Sequence, residues 1–169
     1  MIILSIITLI ISFLMQGITS NYIGYHPSNL SWFLTIYPLI TLLILTPHFE
    51  DNKKILILVI IFGLLTDIVY TNTPVLNTCI FIAVYNISKY FHFIFPYNLL
   101  TINISNLLSI FTYHIISFLF LYIIKYDNYT IQTLLKILSH SIIMTIIYTS
   151  ILYLIIESIT KKFELKEIK

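Results

Sequence analysis

The chain has 169 residues, 59% of them hydrophobic and 9% charged, with a formal net charge of +2 and a mean hydropathy of +0.97. Soluble domains are about 45–50% apolar and about 25% charged, so this chain lacks the charges to cover a water-facing surface, and its small net charge points away from a nucleic-acid partner. It reads as an integral membrane protein, long enough for several spans and too short to carry a separate soluble domain as well.

All nine basic residues are Lys, with one Ala and three Gly in the whole chain. Abundant Ile, Asn, Tyr, Phe and Lys are what an AT-rich genome encodes, so single Asn and Lys residues carry little weight. Cys79 is the only cysteine and has no partner for a disulfide or a metal.

The first apolar run, 2–19, has no basic residue before it and no small-residue cleavage site, so it reads as a retained span and not a signal peptide. Further runs cover 30–45, 55–72, 75–90, 99–124 and 134–156, leaving a tail at 157–169. Pro38 inside the second run predicts a kink. The fourth is short for a span of about 20 residues and extends to 90 by letting Lys89 snorkel. The breaks between runs are short, which predicts antiparallel neighbours. The runs do not alternate, which argues against a β-barrel. The expected fold is all-α: one compact multi-pass bundle of about six transmembrane helices.

Lys placement predicts the orientation. With the N-terminus inside, the cytoplasmic set holds Lys53, Lys54, Lys89, Lys161, Lys162, Lys166 and Lys169, and the outer set only Lys125 and Lys136. Both termini are therefore expected in the cytoplasm.

In that arrangement the third helix runs outward and carries one acid, Asp67, in the outer third of the bilayer, roughly 20 Å from Lys54. An intramembrane carboxylate normally faces the bundle interior or a wet cavity. Gly63 lies one turn earlier on the same face and allows a close approach of another helix or a ligand. Gln16, Asn77, Thr78, Lys136 and His140 lie at similar depth. The expected site is a polar cluster of Gly63, Asp67, Asn77, Lys136 and His140, with His140 as the first choice of partner for the acid and Lys136 as the second. It serves either helix packing and partner binding or a ligand, with packing favoured. The remaining histidines, His26, His48, His92 and His114, lack metal-ligand spacing.

No nucleophile elbow, zinc-protease motif, Gly-rich phosphate loop or pair of intramembrane carboxylates is present. An enzyme, a cofactor and a metal are therefore not expected.

The stretch "FGLLTDIVYTNTPVLNTCIFIAVYNISKYF" resembles the rod shape-determining protein MreD family. The matching features are Gly63 and Asp67 in an outward helix, a tight turn, and Leu76-Asn77-Thr78 opening the next helix; the Pro-containing "LTIYPLITLLIL" is also of the family kind. The likeness covers roughly Ile36 to Phe95. In the family the turn carries a Gly before that Leu, where this chain has Pro74-Val75. The resemblance implies a non-catalytic scaffold of the bacterial rod complex, or elongasome, in the plasma membrane. It implies MreC as binding partner, with RodA, a penicillin-binding transpeptidase and MreB alongside, in support of lateral peptidoglycan synthesis and cell shape. The family fold resembles the S component of energy-coupling-factor transporters, so a vitamin-type binding subunit is the alternative. A structural membrane protein of another complex is the third.

Overall fold

A computed structural model describes residues 2–22, 35–48, 52–71, 73, 75–124 and 130–162. They form six helices, with no strand among the described residues: α1 (Ile2–Tyr22), α2 (Tyr37–Leu45), α3 (Asn52–Thr66), α4 (Leu76–Ile94), α5 (Leu99–Ile123) and α6 (Ile131–Lys162). α2 continues as a 3₁₀ turn, Thr46–His48, and α3 as a π-helical turn, Asp67–Thr71.

α2 is the hub. Every residue from Tyr37 to Leu45 is buried, and α1, α3, α4, α5 and α6 all pack against it. α4 sits between α3 and α5, and α6 lies on α5 and α2. Sequence neighbours thus pack as antiparallel pairs.

The bundle buries hydroxyl and amide residues beside its apolar core and turns apolar side chains outward. Ser12, Thr41, Ser105, Asn106, Ser141 and Thr145 are buried, while Ile10, Leu14, Ile61, Ile147 and Ile151 face outward. Small hydroxyl residues let helices approach closely and hydrogen-bond across the contact. One such knot joins three helices: Ser12 of α1, Thr41 of α2 and Tyr148 of α6 lie within 2.6–2.9 Å of one another through their hydroxyls. Ser88 and Ser105 join α4 to α5 at 3.2 Å, and Asn106 Nδ2 donates to Thr149 Oγ1 across α5 and α6 at 3.2 Å.

Three helices are long and apolar enough to cross a membrane: α3 with its π turn, α5 and α6. The apolar parts of α1 and α2 are shorter, and α4 is not in the set. Several boundaries differ from expectation. α4 runs to Ile94, and α6 extends a few residues at each end beyond the apolar run.

The expected kink at Pro38 is corrected. Helix α2 begins at Tyr37, so Pro38 stands in its first turn, where a missing N–H breaks no helical bond. Thr35 and Ile36 are not helical, and 30–34 lie outside the described residues. Ile36 has no side chain to cap the helix. The cap comes from α1 instead: the Tyr37 N–H donates to Gln16 Oε1 at 3.1 Å.

Candidate functional site

The acid at 67 ends the regular part of α3. The next helix, α4, starts nine residues later with Val75 in the N-cap position, and a valine side chain accepts no hydrogen bond. The first N–H groups of a helix have no intrahelical partner and need an acceptor, most of all away from water.

Asp67 supplies that acceptor from the neighbouring helix. Its Oδ1 accepts from the Asn77 N–H at 2.8 Å and its Oδ2 from the Thr78 N–H at 2.9 Å. Three side chains add to this. Thr73 Oγ1 and Asn77 Nδ2 donate to Oδ1 at 2.7 and 3.0 Å, and Thr78 Oγ1 donates to Oδ2 at 2.8 Å. The carboxylate, 1% exposed, thus holds five donors and none is a basic side chain. The positive end of the α4 dipole and the converging donors stabilise the charge, as at an anion site on a helix N-terminus.

The cluster extends one layer outward. Asn77 Nδ2 also donates to Thr71 Oγ1 at 2.8 Å, and the Thr71 and Thr73 hydroxyls are 2.8 Å apart. The Tyr113 hydroxyl donates to Asn77 Oδ1, which ties α5 to the hairpin. The π turn bends back over α1 through Tyr70, whose hydroxyl donates to the Phe13 carbonyl at 2.5 Å. Gly17 makes room for it: a Cβ there would meet the Tyr70 hydroxyl at 2.8 Å.

Gly63 sets the spacing of the hairpin. A Cβ on it would fall 2.7 Å from the Thr78 Cα. The two backbones therefore touch one turn below the carboxylate, which brings the first turn of α4 within reach of Asp67. Close approach at Gly63, read from the sequence, is what the packing uses.

Gly63, Asp67 and Asn77 come together as expected. Lys136 and His140 do not join them, which corrects the five-residue cluster. α6 packs mainly on α5 and α2. Lys136 is exposed, and His140 Nδ1 lies 2.7 Å from the Lys136 carbonyl of its own helix. Gln16, at a similar depth, caps α2. Thr71, Thr73 and Tyr113 were not foreseen. The two threonines had a local signal, hydroxyls within six residues of an acid in a turn; Tyr113 had none, since its place depends on how α5 packs.

Val75 is the strained element. Its φ of 61° lies in the left-handed region, which a β-branched residue rarely adopts and which costs on the order of 1–3 kcal/mol. Its carbonyl accepts the Cys79 N–H at 3.1 Å, so the conformation is fixed by the start of α4. Val75→Gly is expected to raise stability by about 1 kcal/mol, the relieved strain being partly offset by the freer unfolded chain. Thermal denaturation in detergent measures this, and a lower melting temperature would show that the Val side chain holds the turn.

The acid is saturated by donors, and no group of three or more His, Cys, Asp or Glu among the described residues is disposed to hold a metal. Comparison of the chain with family profiles, curated proteins and solved structures gives no match.

Proposed function

We propose that the protein is a non-catalytic membrane scaffold of the bacterial rod complex, working with MreC to support lateral peptidoglycan synthesis. The observation that carries this reading is the α3–α4 junction. The residues on which the MreD resemblance rests, Gly63, Asp67, Asn77 and Thr78, are the ones that build it through backbone contact and a five-donor carboxylate. Val75 adopts the left-handed conformation that a glycine in that turn takes without strain. A junction of this kind fixes the relative position of two helices and performs no reaction. The saturated carboxylate also has no free acceptor for a small ligand, which favours the scaffold over a vitamin-binding subunit.

In this reading the bundle lies in the plasma membrane with six spans, both termini cytoplasmic. RodA, a penicillin-binding transpeptidase and MreB act beside it. A C-terminal alkaline phosphatase fusion stays inactive in that orientation.

Depletion in a rod-forming host is the functional test. Cells are expected to round up and lateral wall synthesis to disperse, and MreC is expected to co-purify with the tagged protein from membranes. Cells that keep their rod shape, or vitamin uptake that depends on this protein, would overturn the assignment.

A further inference from the structure

Where α2 and α4 end and the turn to α5 begins, the bundle is closed by aromatic and imidazole rings. Tyr97 of that turn reaches back to α2, and its hydroxyl donates to the Ile44 carbonyl at 3.0 Å. Ile44 lies in the last turn of α2, where a helix leaves acceptors spare. This bond uses the one hydrogen of the phenol, so His48 Nε2, 3.1 Å from the same oxygen, is the donor to it. Three rings surround that of Tyr97: His48 edge-on at 5.4 Å between centroids, Tyr153 of α6 at 5.6 Å and His92 of α4 at 6.2 Å. Tyr97 thus latches the turn to α2, α4 and α6 at once.

His92 is the weak member of this set. It stands just beyond the apolar run 75–90, and its Nδ1 is buried with no hydrogen-bond partner among the described residues. The other titratable and charged groups at this end are His48 from α2, Lys53 and Lys54 from α3, Lys89 and Tyr90 from α4, Tyr97, and Tyr153, Glu157, Lys161 and Lys162 from α6. The lysines are exposed, and Glu157 is paired with Lys161 at 2.7 Å. Burial acts on the His92 imidazole and holds it below the usual histidine range.

We propose that His92 is a proton sensor, and that acidification on this side of the membrane charges it and releases the Tyr97 latch. A neutral imidazole is tolerated in the slot. An imidazolium brings a charge and a second N–H into it, and the buried Nδ1–H meets no acceptor. His48 differs, because its Nε2–H already has an acceptor in Tyr97. The closed form is therefore fully stable above the ordinary histidine value of about 6.5 and loses stability as the pH falls through it. Between pH 7.5 and 5.5 this favours opening by up to about ten-fold. The Lys placement assigns this end to the cytoplasm; the latch itself does not depend on the rod-complex reading.

Hydrogen exchange of the full chain in detergent, corrected for the pH dependence of the exchange chemistry, reads the opening. The Phe95, Thr101 and Ile102 N–H groups close the turn and serve as probes. Their protection is expected to fall about ten-fold from pH 7.5 to 5.5, while that of Asn77 and Thr78 holds. His92→Phe and His92→Leu are expected to keep the turn protected at both pH values. His48→Gln, which retains a donor for Tyr97, is expected to keep the wild-type fall, and Tyr97→Phe to lower protection at both. Exchange at Asn77 and Thr78 shows that each variant is folded. A wild-type turn equally protected at both pH values, a fall that persists in both His92 variants, or one that His48→Gln abolishes would overturn the proposal.

Discussion

Asp67→Leu is expected to lower the melting temperature in detergent by on the order of 10 °C. Hydrogen bonds between membrane helices average only about 0.6 kcal/mol, because the separated helices find other partners. The Asp67 site differs in what it leaves behind. The Asn77 and Thr78 N–H groups start a helix whose own N-cap residue is a valine, so they have nowhere else to turn. Loss of an N-cap costs about 0.5–2 kcal/mol, and each buried donor left bare costs about 1–3 kcal/mol. Together these approach 4 kcal/mol, and a chain of this size loses about 2–4 °C per kcal/mol. Asp67→Asn is expected to fall between wild type and Leu. Its amide nitrogen puts donors where one carboxylate oxygen accepted, facing either the two donors of Thr78 or those of Thr73 and Asn77. Thermal unfolding followed by fluorescence, with hydrogen exchange at the first turn of α4, reads both effects. A shift under about 2 °C with unchanged exchange at Asn77 and Thr78 would remove the carboxylate from its capping role.

Gly63→Ala is expected to be destabilising, against the usual sign. In a helix interior the change from Gly to Ala ordinarily stabilises by about 0.5–1 kcal/mol. Here the new methyl would fall 2.7 Å from the Thr78 Cα and 3.2 Å from its Oγ1. The hydroxyl can rotate away, but the Cα can move only if the helix moves. Parting α3 from α4 by about 1 Å stretches the 2.9 and 2.8 Å bonds from Thr78 to Asp67 past useful length. Overpacking of this kind costs about 1–3 kcal/mol, and Gly63→Leu more. Because both substitutions act through Thr78, the double variant Gly63→Ala with Asp67→Leu is expected to lose at least about 0.5 kcal/mol less than the sum of the two. A higher melting temperature for Gly63→Ala would mean that the backbones do not touch.

The hairpin was legible in the sequence because its parts are close along the chain. Gly63, Asp67, Asn77 and Thr78 span sixteen residues, and a short turn leaves α3 and α4 little choice but to pack on each other. The error at Lys136 and His140 came from reading depth without azimuth. Position along a helix axis follows from a rise of about 1.5 Å per residue, but which helices are neighbours depends on packing around α2, which hydropathy does not encode. The reading of Pro38 failed for a related reason: an apolar run of 30–45 gives no sign of where within it the helix starts. The inward placement of Ser12, Thr41 and Tyr148 was invisible too, since runs of Ile and Leu surround them on every side and the periodicity that marks a soluble helix is absent.

The capping of α4 by a residue of α3 also bears on how the chain enters the membrane. During translation Asp67 emerges ahead of Thr73, Asn77 and Thr78. An α3 that partitioned into lipid alone would carry a bare carboxylate, which opposes insertion by up to about 3 kcal/mol. Eleven residues later every donor that solvates the charge has been made. The unit expected to leave the translocation channel is therefore the pair α3–α4, with the acid already enclosed.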